Sequence, residues 1–354
     1  FRQLADVDLS PPARRRSQEL DRKFVGRRPE EPDGIRSSVS RSPISTEQAK
    51  QMNDKAWRTA FATDWSERRR WRDAYFGDAS DLARVVQEEA KADANRFLAL
   101  YWTLPCGTPE PFMRAILCGV AETGLDTAAL DDLIVRLRVG EPWQADDRTL
   151  LWLIGQRSGE EIGPEALAEL CRIAREGNFA KAGEMSHNKK DKPEPLFRVA
   201  LEQGHYLAWQ GRQTPRGDAL HKLGSLAWNG RAIFEANCDA VDILLGKDLP
   251  DWLIASAMLF VRSAIKHEPS TAARWMEAIA KSTPITLASE YGRQSLVALD
   301  AVAPEQGRAV LLALLHGDDP GMSALAAALI VARSFDMADW DHERAQILSG
   351  PDEW

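Results

Sequence analysis

Apolar residues recur along most of this chain at spacings of three and four, the period of a helix with one buried face. Val, Ile and Thr never alternate with polar residues over a useful length, so strand signals are close to absent. Helix punctuation is dense. In "SPISTEQAKQMNDKAWRTAF" (42–61), Ser45 and Gln48 have the spacing of a capping box, and Asn53 offers a second cap eight residues on. Pro43 stands outside, blocking continuation upstream. A helix of barely two turns is therefore followed at once by another, with Met52, Trp57, Ala60 and Phe61 on the inward side. Ser10, Pro11 and Pro12 open a helix that Gly26 ends, and residues 27–43 have no period and read as a linker. Further helices are predicted at about 54–64, 79–92, 95–103, 109–123, 126–138, 146–157, 164–176 and 196–211. Residues 178–195 break the rhythm and read as a long exposed loop.

After Thr214 and Pro215, an N-cap and first helical residue, the punctuation becomes periodic. Pro269 and Pro304 start helices about 35 residues apart, and Pro284 and Pro320 repeat that offset. The first pair superimposes Trp275 on Val310, Met276 on Leu311, Ile279 on Leu314 and Ala280 on Leu315. The alternate helices offer Leu253, Ala257, Phe260, Val261 and Ala264, then Leu325, Ala328, Leu329 and Ala332. A two-helix unit repeated in this way predicts an all-α solenoid of stacked antiparallel pairs, HEAT-like or tetratricopeptide-like. The organisation expected is an N-terminal helix and linker over 1–44, a first helical array over 45–177, a long loop with a connecting helix over 178–213, and repeats over 214–354. Short, separately capped helices are what such a stack needs, because each must end and reverse for the next to pack.

Composition adds limits. The 354 residues are 44 % apolar, with no run long enough to span a membrane. The chain opens on Phe1 and ends on Trp354, and we read it as a piece of a longer protein. Residues 1–72 hold 17 Lys and Arg against 11 Asp and Glu, whereas the remainder carries a net charge of −14. An acidic body argues against a nucleic-acid cradle. Cys106, Cys118, Cys171 and Cys238 form no CxxC pair, and Cys118 and Cys171 sit among apolar positions of helices, as buried thiols of a reducing compartment would. Most of the twelve tryptophans fall in helices and read as core, while Trp143, Trp340 and Trp354 lie in or beside polar loops and are candidate contacts, with core packing the preferred reading for each. No phosphate loop, dinucleotide fingerprint, HExxH or nucleophile elbow occurs. His267 and His316 sit at helix ends, where a cation favours the dipole, and the acidic pairs at 131–132, 146–147, 160–161 and 318–319 read as helix-start caps. No catalytic, cofactor-binding or metal-ligating residue is assigned. Two basic clusters are candidate partner contacts: Arg68, Arg69, Arg70 and Arg72 around Trp71, and His187, Lys189, Lys190 and Lys192 in the long loop. The plainer reading, that both are solvated faces, is the preferred one.

"SPISTEQAKQMNDKAW", through Ser42, Pro43, Ile44, Met52, Asp54 and Trp57, resembles a stretch of large bacterial NACHT-like signal-transduction (STAND) ATPases, many linked to antiphage defence. "GDASDLARVVQEEAKADANRFLALYWTLP" (77–105), "PFMRAILCGV" from Pro111 and "QTPRGDALHKL" (213–223) resemble the elements that follow, in the same order. Gln213 stands where the family has Asn, and residues 178–212 match poorly. The resemblance implies a C-terminal helical array that senses a ligand or restrains an ATPase module lying upstream in the same parent chain, in the bacterial cytoplasm. Thr214, Arg216 and Gly217 would then be structural, with Arg216 held by a carboxylate or by carbonyls and Gly217 letting helices approach. The expected function is a non-catalytic interaction or sensor module. The rivals are a DNA-repair or nucleic-acid-binding repeat protein, disfavoured by the acidic body, and a passive scaffold.

Overall fold

The computed structural model describes residues 42–65, 78–123, 125–140, 145–156, 162–177, 195–246, 249–334 and 340–349. Secondary structure among them is entirely helical. The chain divides into two compact units, residues 1–85 and 86–354.

In the first unit the double start is real. Helix α1 (Thr46–Lys50) begins at Ser45, whose Oγ accepts from Gln48 N at 3.3 Å while Gln48 Oε1 accepts from Ser45 N at 2.9 Å. Upstream, Ser42 Oγ accepts from the N–H of Ile44, one residue past Pro43. Helix α2 (Asp54–Ala62) is capped by Asn53 Oδ1, which accepts from Ala56 N at 2.9 Å. Its inward face is Trp57, Ala60 and Phe61, with Met52 half-buried beside the cap. Trp65 Nε1 donates to the Ala60 carbonyl at 2.9 Å and folds the outgoing chain back onto that helix end. Helix α3 (Ala79–Ala92) starts in this unit, with Asp78 accepting from Ser80 N at 2.9 Å.

The second unit continues with α4 (Ala94–Tyr101), α5 (Glu110–Ala121), α6 (Thr127–Val139), α7 (Asp147–Gly155), α8 (Pro164–Glu176), α9 (Leu196–Arg212), α10 (Pro215–Asn229), α11 (Arg231–Asn237) and α12 (Asp239–Leu245). Next come α13 (Asp251–His267), α14 (Pro269–Ser282), a 3-10 turn (Pro284–Ala288), α15 (Glu290–Val302), α16 (Pro304–Leu315), α17 (Pro320–Ser334) and α18 (Asp341–Ser349). Helix α10 packs on α8 and α13, α13 on α14 and α15, α14 on α16, and α16 on α17. The aligned stripes are buried: Trp275, Met276 and Ile279 in α14, and Val310, Leu311, Leu314 and Leu315 in α16. So is the expected stripe of α13.

Six polar cross-links between these helices share an offset of 32–35 positions, while others span 25 (Arg172–Asp147), 42 (Arg216–Ala174), 64 (Arg175–Asp239) and 71 (Lys222–Leu151). Gln87 Nε2 donates to Glu122 across 35 positions, and Asp131 Oδ1 accepts from Ala166 N, again across 35. Arg274 pairs with Asp242 across 32, Arg262 with Gln294 across 32, and Arg333 with Asp300 across 33. Arg308 pairs with Glu343 across 35. Arginine also lies over tryptophan at one shared offset, 102 to 136 and 228 to 262, with guanidinium-to-ring distances of 4.2 and 4.8 Å.

Helix α9 is more than a connector. It packs on α13, on the 3-10 turn and on α17, elements far apart in sequence. Small residues allow this. A Cβ on Gly204 would lie 2.5 Å from Ala288 C and Ser289 N. At the α9–α10 corner, Thr214 Oγ1 accepts from Gly217 N at 3.1 Å, and a Cβ on Gly217 would collide with the Gly211 carbonyl. Arg216 is buried, and its Nε donates to the Ala174 carbonyl at the end of α8 at 3.1 Å.

Some sequence expectations need correction and others gain detail. The buried face of α17 is Met322, Leu325, Ala326 and Ile330, whereas Ala328 and Ala332 are exposed. This helix is apolar nearly all round, so periodicity does not select its face. Asp131 lies inside α6 and caps α8, not its own helix. His267 ends α13 as expected, and it also faces the Ala227 carbonyl at 2.8 Å and stacks on Phe234. Trp340, beside a polar loop in sequence, takes the core role preferred for it, buried under the Arg308 guanidinium. Pro284 opens a short 3-10 helix and precedes the α-helix that begins at Glu290, as its position implies.

Candidate interaction surfaces

The two basic clusters read from the sequence, Arg68, Arg69, Arg70 and Arg72, and His187, Lys189, Lys190 and Lys192, lie outside the described residues. Ser42, Pro43, Met52 and Trp57 belong to the capped corner of the first unit. Thr214, Arg216 and Gly217 belong to the α9–α10 corner of the second. There burial pushes the Arg216 pKa down. Among the described residues no group of three or more His, Cys, Asp or Glu could hold a metal ion. No helix of these residues is long and apolar enough to cross a membrane.

One concavity of the second unit, about 290 Å³ and lined by Tyr101, Cys106, Arg114 and Thr149, is small, and two are roomier. The larger is a groove of about 1070 Å³ between α7, α8, α10 and α11. Ile154, Leu167, Leu170, Leu226 and Ile233 supply its apolar walls, and His221, Lys222, Ser225 and Asn229 its polar atoms. Lys222 is fully engaged in the wall. Its Nζ donates to the Leu151 carbonyl at 2.9 Å and to Asp218 Oδ2 at 2.9 Å. It fills the space left by Gly155 at the end of α7, where a cation favours the helix dipole. His221 rests against the Tyr291 ring at 5.6 Å. Burial, and secondarily Arg212, pushes its pKa down to about 4, so it is neutral at pH 7.

The smaller is a hollow of about 640 Å³ on the outer face of α9. Arg198, Leu201, Glu202, His205, Tyr206 and Trp209 come from α9, and Arg293 from the first turn of α15. Tyr206 and Trp209, three residues apart, stack with ring centroids at 6.0 Å. Seating Gly204 directly on the 3-10 turn brings α15, and so Arg293, to the edge of this shelf. Arg293 is half-buried, its Nε is shielded from solvent, and its guanidinium makes no hydrogen bond or ion pair with any described residue. One turn earlier on α9, Leu196, Phe197 and Val199 are exposed at 46, 36 and 39 %. Soluble monomers do not usually gather such residues without a use for them.

Compared with family models, with curated proteins and with solved structures, the chain matches none.

The hollow was not visible in the sequence. Arg293 is more than eighty positions from the α9 residues it joins, and only the helix packing brings them together. The single available signal was the run of large apolar residues at 196, 197, 199 and 201 with an arginine in its midst.

Proposed function

We propose that this chain is a helical-repeat interaction module without chemistry of its own, built as stacked helix pairs. The observation that carries the reading is the recurrent offset of 32–35 positions in its inter-helix cross-links. In a stack of similar units a residue meets one about a unit further on, which suits these six links, whereas the links at 25, 42, 64 and 71 positions depart from it. Helix α9, laid across several pairs, departs from a plain stack of identical units. The free state of all four cysteines suits a reducing compartment, and we place the protein in the cytoplasm.

The finer assignment is to the C-terminal array of a bacterial NACHT-like ATPase, where it would recognise a ligand or restrain the ATPase. It rests on the resemblance carried by Ser42, Pro43, Met52, Trp57, Thr214, Arg216 and Gly217. The test is nucleotide turnover by the parent protein with and without residues 42–354. Deletion should raise basal turnover or abolish its response to the trigger. Unchanged basal and triggered turnover would overturn the regulatory reading. Turnover of nucleotide or ester by this chain alone, lost on one point substitution, would overturn the absence of chemistry.

A further inference from the structure

We propose that the hollow on α9 binds a peptide segment carrying a carboxylate beside an aromatic or branched apolar side chain, with Arg293 as the carboxylate's partner. The inference rests on the interaction reading above and names its partner. Arg293 Nε is closed off from solvent, so only the two terminal nitrogens of the guanidinium, which have no acceptor among the described residues, can meet one supplied from outside the fold. Arg293 is held there by structural demands that do not involve its charge. Ser289 Oγ caps α15 by accepting from Gly292 N at 3.2 Å, and Gly292 is packed against Leu287, so the first turn that carries Arg293 is fixed. An incoming carboxylate would meet the terminal nitrogens of this guanidinium in a forked, charge-assisted contact.

The rest of the hollow selects the remainder of the partner. Tyr206 and Trp209 form a shelf for a flat or branched side chain, and Leu201 extends the apolar floor. The volume of about 640 Å³ accommodates two or three residues of a peptide. Charge separates a peptide from a nucleic acid. Arg198 and Arg293 share the site with Glu202, which leaves room for one negative charge but provides no cationic track for successive phosphates. The exposed Leu196 and Val199 nearby offer aliphatic surface, which nucleobases do not need and peptides do.

The test uses the full chain and a fluorescein-labelled twelve-residue peptide in which Asp alternates with Leu and Phe, followed by fluorescence anisotropy. Three comparisons are made: the same peptide with Asn for Asp, a dT12 oligonucleotide, and the variants Arg293→Met and Lys222→Met. The Asp peptide should bind about tenfold or more tightly than the Asn peptide, and Arg293→Met should remove that advantage. Lys222→Met should leave it in place, and an unchanged circular dichroism spectrum should show that Arg293→Met still folds. Equal binding of the Asp and Asn peptides, or an advantage that survives Arg293→Met, would overturn the proposal. So would tighter binding of dT12 that depends on Arg293. None of these outcomes touches the ATPase test above, so the two readings fail separately.

Discussion

Lys222 on the wall of the groove and Arg293 on the wall of the hollow are both half-buried cations, yet the fold treats them differently. Lys222 has a carbonyl and a carboxylate within 2.9 Å, and its ammonium occupies space that Gly155 leaves open. Arg293 has neither an acceptor nor a counter-ion among the described residues. The groove is the larger concavity, but its charge is already spent inside the protein. The hollow is smaller and keeps its charge for something else. The state of the polar groups, more than volume, separates a gap between packed helices from a binding site.

Four expectations sharpen this contrast, in descending size. The largest concerns what holds the groove open. Phe234, beside the groove-lining Ile233, packs at 5.6 Å from Phe260 and 6.4 Å from Trp275. Phe234→Ala should cost about 3–5 kcal/mol in urea unfolding. A cost below about 1 kcal/mol would mean that α11 is not anchored through this cluster. Next, Arg216→Ala removes the buried contact to the Ala174 carbonyl and should cost about 2–3 kcal/mol. Unchanged stability would show that Arg216 serves a partner and not the corner.

The third is a pH dependence. His221 in the folded protein has its pKa pushed from the ordinary 6.5 down to about 4. The unfolded chain therefore takes up the proton first as pH falls. Its contribution to stability is complete above about 6.5, is lost as pH drops from there towards 4, and changes no further below. The loss is at most about 3 kcal/mol. His221→Asn should flatten the unfolding free energy over that window relative to the parent chain. Parallel profiles would contradict the burial of a neutral imidazole.

How much of this was legible in the sequence follows from the range of each interaction. The Ser45–Gln48 box, the Asn53 cap and the Thr214–Pro215 start are local, and reading the spacing was enough to place them. The stripes of α14 and α16 were legible because Trp, Met and Leu stand out against charged neighbours. In α17 alanine and leucine surround the axis, and the buried face was misassigned there. Asp131 looked like a cap for the helix it sits in, because sequence shows its neighbours along the chain and not the start of α8 above it. Trp340 lies beside a polar loop in sequence, where core packing is still its preferred reading; its cover, Arg308, comes from another helix and cannot be read locally. Arg293 carries no local mark at all.

The most direct test of the central claim, that Lys222 is structural and Arg293 is kept for a partner, is the unfolding free energy of Lys222→Met and Arg293→Met side by side at pH 7. The account predicts that Lys222→Met loses about 1–2 kcal/mol, because Asp218 and the Leu151 carbonyl lose their donor. Arg293→Met should lose nothing or gain slightly, because an unpaired, partly buried charge is replaced by an apolar chain of similar length. An equal or larger loss at Arg293 would show that its guanidinium already serves the fold, and the hollow would then be a gap like the groove.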